Sequence, residues 1–462
     1  MTPRVSVCVP TRDQAEYLGA ALASVLREDV DGGLEVLVHD DASTDDTAQV
    51  VAATGDPRLR YRRHPAPLGV AANRNSLLAQ ARGEYVAWLD SDDVRRPGTL
   101  ARQVALLHAH PHVVLAHGGH GVIDADGREL PDWPAPLARD AIEPPAAAFA
   151  NLLATNEMTT STVVVRRSAH AAAGPFATTI GASSTDWEMW LRIALRGAVA
   201  YSAEPVADYR QHARTISRAT AAGGERLRCN VRVVRRVLRE ERLRIAHPGR
   251  ARAAAEAALA AQALLHAGDA YTRGDRAAAL DAIALADRFT AKAGTRATLD
   301  RLCAATARGD DGACLRETRT ALAALAEALD GTRFGARLRR VSAPDADWDA
   351  QLARAGAAVA RATPADAVIA AIAKWDPAIL DRCGRTGVNF PDRALLPDGY
   401  PRDGATAVAH LEALRARRGV THVVVPQVSG WWLERYPELA RRLGTPLWRD
   451  ADCAIFDVGA AR

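Results

Sequence analysis

The chain has 462 residues, which predicts about two to four domains and ample material for a hydrophobic core. Its hydrophobic content of 48% and charged content of 25% are those of an ordinary soluble globular protein. The net charge of +4, from 59 basic and 55 acidic side chains, is too small to indicate binding to nucleic acid or to a membrane surface.

The cysteines and the apolar segments indicate the cellular compartment in which the protein is expected. The six cysteines include no CxxC pair, so the sequence predicts reduced, buried thiols rather than a zinc site or a disulfide framework. The chain begins with a strand pattern, without the apolar segment of a signal peptide. No apolar run approaches the ~18 residues that span a bilayer. We therefore expect a cytoplasmic protein without a transmembrane segment, for which any membrane contact would have to be peripheral, at the inner face of the cell membrane.

The first part of the chain, to about residue 116, alternates short β-rich runs with helical patterns. Such alternation predicts a parallel, doubly wound sheet with helices on its faces. The predicted strands cover residues 4–9, 34–38, 59–62 and 83–87, and the predicted helices cover residues 16–26, 47–53 and 70–82.

Polar clusters follow three of these predicted strands. They occupy residues 10–13, 39–43 and 90–93. In doubly wound sheets, ligands bind beyond the carboxyl ends of the strands. The sequence therefore predicts a ligand site at this edge of the sheet.

The rest of the chain falls into less regular patterns. Residues 117–220 are mixed, with strand patterns at 162–165 and 206–210 and a helix that opens at Asp186. Alanine, leucine and arginine at helical spacing then predict a helical region to about residue 330. A second α/β pattern begins near residue 345, with buried-strand runs at 368–373, 421–425 and 453–458 and helices at 405–417 and 431–443.

Three carboxylates in four positions form the strongest chemical signal. Asp90, Asp92 and Asp93 follow an apolar strand, where they repel one another unless a cation lies between them. Asp90 and Asp92, one residue apart, can approach a single ion, and hard oxygen donors suit Mg²⁺ or Mn²⁺. The alternative is a solvated turn that caps the helix after Pro97.

Four motifs in order resemble family 2 glycosyltransferases of the GT-A fold. They are VSVCVPTRD at 5–13, VHDDASTDDT at 38–47, GVAANRN at 69–75 and LDSDD at 89–93. The resemblance covers roughly residues 4–215. It implies a Rossmann-like, doubly wound, mostly parallel α/β domain at residues 1–220. A helical linker at 221–343 and a smaller α/β domain at 344–462 would follow, and the latter resembles an accessory domain of some bacterial glycosyltransferases.

The resemblance also implies roles for particular residues. Asp92 matches the direct ligand of a Mn²⁺ or Mg²⁺ ion, and His212 matches a second metal ligand or a diphosphate contact. Asp186, in STDWEMWLR at 184–192, matches the general base, although Thr185 stands where the family has another acid. The positions that match contacts to the nucleotide sugar are Pro10, Thr11, Asp13, Asp40, Arg74, Asp90 and Ser91. Arg12 and Asp13 replace the usual Tyr-Asn, and Asp93 is expected outside the site.

The implied activity is transfer of one sugar, with inversion, from a UDP-, dTDP- or GDP-sugar to an acceptor hydroxyl. The acceptor would be a saccharide, a lipid-linked molecule or a protein, in the synthesis of bacterial cell-surface polysaccharide or glycoconjugates. No Q-x-x-R-W signature of processive synthases follows Asp186. Two alternatives stay open: a binding or scaffold protein with a decayed transferase domain, and a nucleotidyltransferase, which normally has a Gly-rich basic loop that is absent after the first strand here.

Overall fold

A computed structural model gives the architecture of the protein. It describes residues 2–130, 135–212, 214–215, 224–272, 274–290, 293–342, 346–372, 378–391, 401 and 403–459. The chain divides into two compact units. The first comprises Met1–Leu259 with Leu329–Phe334, and the second comprises Ala260–Ala328 with Gly335–Arg462.

A large mixed sheet forms the centre of the first unit. Its strands are β1 Val5–Thr11, β2 Leu34–Asp40, β3 Leu59–Arg63, β4 Tyr85–Trp88, β5 Val94–Arg95, β6 Val113–Ile123, β7 Glu129–Leu130, β8 Ala141–Glu143, β9 Val164–Arg166 and β10 Ala198–Arg210. Their order is β3-β2-β1-β4-β9-β6-β10-β5, with β7 beside β6 and β8 beside β10. Strands β1 to β4 pair in parallel, as do β6 and β10, while β9 runs antiparallel to both of its neighbours.

Helices surround this sheet. Those that begin before residue 260 are α1 Ala15–Leu26, α2 Thr47–Thr54, α3 Val70–Leu78, α4 Thr99–Ala109, α5 Pro145–Ala154, α6 Arg167–Ala173, α7 Thr185–Ala194, α8 Glu225–Glu240 and α9 Pro248–Thr272. The alternating valines of β1, at Val5, Val7 and Val9, share a core cluster with Leu18 and Leu22 of α1. Burying each such side chain stabilises the fold by roughly 1.5–3 kcal/mol, so β1 is fixed at the centre of the sheet.

A second, smaller sheet organises the other unit. Its strands are β11 Val368–Ala371, β12 Thr386–Asn389, β13 His422–Pro426, β14 Trp448–Arg449 and β15 Cys453–Asp457, in the order β12-β11-β13-β15-β14. The remaining helices are α10 Arg276–Asp287, α11 Ala293–Arg308, α12 Asp311–Ala328, α13 Arg333–Ser342, α14 Ala346–Ala362, α15 Ala378–Cys383, α16 Gly404–Arg418, α17 Trp431–Arg435 and α18 Pro437–Leu443. None of the described helices is both long and apolar enough to cross a bilayer.

The predicted fold class is confirmed. The structure has a large, mainly parallel sheet with helices, a run of helices from α8 to α14, and a separate smaller sheet near the C-terminus. Two helix predictions were wrong in extent. The helix expected over 70–82 ends at Leu78, and the one expected over 431–443 is divided at Tyr436, because Pro437 cannot continue a helix. The three-domain division at 220 and 343 stays a prediction.

A buried ion-pair cluster attaches α8 to α7. The Glu188 side chain is completely buried and accepts hydrogen bonds from Arg192 Nη2 at 2.7 Å and from Arg236 Nε at 3.0 Å. Arg192 lies on α7 and is itself buried, whereas Arg236 lies on α8 and is partly exposed. Glu188 therefore compensates two positive charges, one of which has almost no access to water.

We expect Glu188→Ala to lower the free energy of unfolding by about 3 kcal/mol, because removing one partner of a buried pair leaves the other charge uncompensated. The measurement is urea unfolding followed by circular dichroism. Asp126→Ala is the matched control, since it removes an exposed pair with Arg128 and should cost less than about 1 kcal/mol. Equal losses in the two variants would contradict a special role for the buried cluster.

Candidate active site

The acidic loop 90–93 follows β4 at the carboxyl edge of the sheet. Its shape is fixed by contacts with two distant segments. The Asp90 backbone N–H donates to Ser161 Oγ at 3.0 Å, and the Ser161 hydroxyl donates to Asp93 Oδ2 at 2.6 Å. Asp93 Oδ1 accepts from the Arg210 backbone N–H at 2.9 Å. The end of β10 and the turn before β9 therefore hold the loop in place.

Asp93 is the most deeply buried carboxyl of this loop. Its residue is 1% exposed, and burial raises the pKa of Asp93 well above its usual range, with further contributions from the charges of Asp92 and Asp90. Its side chain contacts Ser161 and Arg210, so it positions the loop from within the protein. Ser161 carries no motif that could have identified it from the sequence.

The two predicted metal ligands lie together. Asp92 Oδ2 is 3.0 Å from His212 Nε2, although 120 positions separate the two residues in the chain. The His212 ring lies against Tyr17, with ring centroids 4.7 Å apart, and its side chain is 3% exposed. Arg210 Nε donates to the Asp92 carbonyl oxygen at 2.8 Å, so β10 positions both members of the pair.

The donor atoms of this pair fit a divalent cation. A carboxylate oxygen and an imidazole nitrogen are ligands that Mn²⁺ accepts, and Mg²⁺ uses few protein ligands together with water and phosphate oxygens. Within the described part of the chain, no group of three or more His, Cys, Asp or Glu side chains could hold a metal ion. A cation held by Asp92 and His212 would therefore need further ligands from a bound molecule or from water.

Arg74 connects the acidic loop to α7. Its Nη2 donates to Asp90 Oδ1 at 3.1 Å, and its Nη1 donates to Thr185 Oγ1 at 3.3 Å. The side chain is 7% exposed, and the guanidinium carbon lies 5.8 Å from the centroid of the Phe176 ring. Because Asp186 follows Thr185 directly, Arg74 brings the end of β4 and the start of α7 to one place.

The electrostatics of Asp90 support this proximity. The surrounding protein raises the pKa of Asp90 by desolvation, which the Arg74 charge opposes, and the charges of Asp92 and Asp186 raise it further. Three acids from two distant parts of the chain thus act on one another. A cation placed near them would offset this repulsion.

Asp186 lies in the first turn of α7. Its Oδ2 accepts a hydrogen bond from Thr160 Oγ1 at 3.2 Å, and Asn156 Nδ2 lies 3.5 Å away. These two neighbours orient the carboxylate while leaving the residue partly exposed. Geometry of this kind suits a group that accepts a proton from a bound hydroxyl.

The residues expected to contact a nucleotide line the ends of β1 and β2. Thr11 pairs in register with Asp40, and Pro10 pairs with His39. The buried Thr11 Oγ1 has no hydrogen-bond partner among the described residues. Asp13 adopts a left-handed backbone conformation, with φ of 51°, and its Oδ1 accepts from the Thr44 N–H at 2.7 Å.

Asp40 already accepts hydrogen bonds from the protein on both carboxylate oxygens. Oδ1 accepts from the Ser43 N–H at 2.7 Å, and Oδ2 accepts from the Tyr61 hydroxyl at 2.6 Å. The residue is 1% exposed. A nucleobase that contacts Asp40 must therefore displace Ser43 or Tyr61 as a hydrogen-bond donor, or share the carboxylate oxygen with one of them. Ser91 is likewise buried, inside the acidic loop.

The tryptophans of α7 pack inside the protein. Trp187 is 1% exposed and donates from Nε1 to the Leu152 carbonyl oxygen at 2.7 Å, while Trp190 is fully buried. Neither ring can therefore line an acceptor pocket, because a helix placed between the sheet and its neighbouring helices buries both.

Comparison with known proteins finds similarity in the N-terminal region. Residues 6–121 match the family model described as Glycosyl transferase family 2. An uncharacterized protein of Mycobacterium tuberculosis is 32% identical over 221 residues, which are 46% of this chain and 60% of that protein. The succinoglycan biosynthesis protein ExoO of Rhizobium meliloti is 35% identical over 128 residues, which are 28% of this chain and 36% of that protein. The chain thus spans less than two thirds of the length of each of these relatives.

Solved structures show a partial likeness. Staphylococcus aureus TarS 1-349 in complex with UDP-GlcNAc has a TM-score of 0.48 at 20% identity, over 69% of this chain and 90% of that one. The mannosyltransferase PcManGT of Pyrobaculum calidifontis, in complex with GDP-Man and Mn²⁺, has a TM-score of 0.44 at 23% identity, over 76% and 88%. At these values, neither likeness carries information about the substrate of this chain.

Proposed function

We propose that the protein transfers one sugar from a nucleotide diphosphate-sugar to an acceptor hydroxyl, with inversion, since residues 6–121 match the family model described as Glycosyl transferase family 2. The observation that carries the proposal is the bridge made by Arg74. Its guanidinium contacts Asp90 at the end of β4 and Thr185 beside Asp186, so a donor-side acid and an acceptor-side acid border the same region.

The donor would lie against the carboxyl ends of β1, β2 and β4. Asp92 and His212 would hold a Mn²⁺ or Mg²⁺ ion, and such an ion offsets the negative charge that develops on a departing diphosphate. Asp90 and Ser91 border the donor from the acidic loop, and Arg74 contributes a fixed positive charge beside it. Pro10, Thr11, Asp13 and Asp40 would border the nucleoside, and the buried Thr11 hydroxyl there has no hydrogen-bond partner among the described residues.

The acceptor would approach from the side of α7. An alcohol is a weak nucleophile until its proton leaves, and the carboxylate of Asp186 is placed to take that proton. Thr160 and Asn156 orient this carboxylate. Attack on the anomeric carbon from the face opposite the leaving diphosphate inverts its configuration in one displacement, with no covalent sugar–enzyme bond.

The biological setting we propose is the synthesis of a bacterial polysaccharide or glycoconjugate. Support comes from relatives of the N-terminal region, one of which is ExoO. A putative colanic acid biosynthesis glycosyl transferase, WcaA of Escherichia coli, is 32% identical over 117 residues, which are 25% of this chain and 40% of that protein. These relatives suggest a saccharide or lipid-linked acceptor.

A thermal-shift screen tests the proposal. The full chain is melted with UDP-, dTDP- and GDP-sugars, each with and without Mn²⁺. We expect one nucleotide class to raise the melting temperature only when Mn²⁺ is present, because a ligand that binds the native state stabilises it. Release of the nucleoside diphosphate from that donor must follow. Stabilisation without release would favour a sugar-nucleotide-binding scaffold protein, and no stabilisation by any donor would contradict the proposal.

A further inference from the structure

The small net charge of the chain conceals a local concentration of arginine. Residues 225–252 contain ten arginines and three glutamates, which give this stretch a net charge of +7. Because the whole chain carries +4, all other residues together carry −3. The stretch comprises α8, the turn after it and the start of α9, and it lies within the first unit.

Four of the six arginines of α8 lie on one face. Arg228, Arg232, Arg235 and Arg239 are exposed and follow one another at intervals of four, three and four residues, which places them along one side of a helix over about 16 Å. The opposite side is apolar and packed, with buried residues at Leu227, Val233, Val234 and Val237. We call the four exposed residues, together with Arg242 in the following turn, the arginine stripe.

Acidic neighbours neutralise only part of the arginine stripe. Glu225 pairs with Arg228 and Arg232, and Glu240 pairs with Arg239. No ion pair is found for Arg235 or Arg242 among the described residues, and both are exposed. Intramolecular salt bridges therefore do not account for the positive charge of this surface.

A fully exposed leucine follows the last residue of the arginine stripe. Leu243 is 100% exposed, far more than any other large hydrophobic residue recorded as exposed in the described chain. Arg242 and Arg244, on either side of it, are exposed as well. A leucine side chain in water between two arginines would be buried by a partner that has both negative charge and an apolar layer.

We propose that the arginine stripe and Leu243 form a docking surface for an anionic lipid bilayer. The arginines lie at the level of the lipid phosphates, and Leu243 enters the boundary between headgroups and acyl chains. A soluble polyanion would satisfy the charges and leave Leu243 in water, which is why the bilayer fits better. The surface goes beyond the proposed transfer reaction, because none of its residues belongs to the candidate active site.

Vesicle sedimentation tests this surface on the full-length protein. We expect binding to vesicles that contain phosphatidylglycerol, little binding to pure phosphatidylcholine vesicles, and a loss of binding as salt rises from roughly 0.1 M to 0.5 M. Arg235→Glu combined with Arg242→Glu should weaken binding to the anionic vesicles at least ~25-fold, since each basic residue near such a surface contributes roughly fivefold.

Matched variants distinguish the effect of the arginine stripe on vesicle binding from the effect of the net charge of the protein. Arg417→Glu combined with Arg418→Glu changes the net charge equally, on exposed positions of α16 in the other unit, and should retain the wild-type affinity. Leu243→Ser should weaken vesicle binding several-fold and leave binding to inorganic polyphosphate unchanged. Equal losses in the two double variants, equal binding to both kinds of vesicle, or an unchanged Leu243→Ser variant would each overturn the proposal. Failure here would leave the donor-binding screen unaffected, because that screen contains no lipid.

Discussion

Asp92→Ala is expected to abolish the Mn²⁺-dependent stabilisation of the protein by its nucleotide-sugar donor. The Asp92 carboxylate and the His212 ring are the two predicted ligands that the structure places 3.0 Å apart, and alanine leaves only the imidazole. A donor present at about a hundred times its Kd stabilises the wild-type protein by about 2.7 kcal/mol, and we expect the variant to lose this gain. Thermal melting with and without Mn²⁺ measures it.

The control for Asp92 is Asp126→Ala, which also removes a carboxylate but lies exposed between β6 and β7. It should retain the full Mn²⁺-dependent shift. The melting temperature of Asp92→Ala without ligands reports whether the variant is folded. A folded Asp92→Ala variant that still responds to donor only in the presence of Mn²⁺ would show that other residues hold the ion.

The second large effect is expected from Asp186→Asn. The amide keeps the size of the side chain and can still accept from Thr160, but it cannot take a proton from an alcohol. We expect donor binding to be retained and the rate of transfer to fall by ~10² to 10⁴, the usual contribution of a general base. Steady-state transfer assays, together with donor thermal shifts, separate these two quantities.

The matched control is Asp126→Asn, an identical chemical change away from the site, which should leave both quantities unaltered. A transfer rate in Asp186→Asn close to that of the wild type would refute the role of Asp186. A loss of donor binding in the same variant would instead place this carboxylate on the donor side of the site.

The sequence was most informative where function depends on local order along a strand. Asp90 and Asp92 could be placed at the end of β4 because an apolar run and a polar cluster are adjacent in the chain. The same reasoning located Thr11 and Asp40 at the ends of neighbouring strands, and the register of β1 with β2 pairs them directly. The edge of the sheet at which a ligand is expected followed from the rule that doubly wound sheets bind ligands beyond the carboxyl ends of their strands.

Hydrogen bonds between residues far apart in the chain could not be predicted in this way. Nothing in the sequence indicates that Tyr61 donates to Asp40, or that Ser161 donates to Asp93, because neither partner carries a motif. Asp93 was expected outside the site, and the structure shows that it positions the acidic loop through Ser161 and Arg210. The partners of a buried carboxylate depend on how the sheet is assembled, and this information is spread over the whole domain.

The packing of the second unit could not be predicted from the sequence either. Aromatic side chains on a helix, such as Trp432 and Tyr436, can pack in a core or stack on a sugar, and the structure buries both within one hydrophobic cluster. Pro437 could have been recognised as a helix breaker from the sequence. It was missed because the apolar spacing across residues 431–443 continues through it.

The hydrogen-bond network around Asp93 sets a minimum length for a fragment that could form the candidate site. Its three members come from the loop after β4, from the turn before β9 and from the last residue of β10. A fragment that stops at residue 121, where the family match ends, would contain Asp93 without Ser161 or Arg210. The part of the chain that holds the candidate site is therefore longer than the residues that match the family model, and it extends at least to His212.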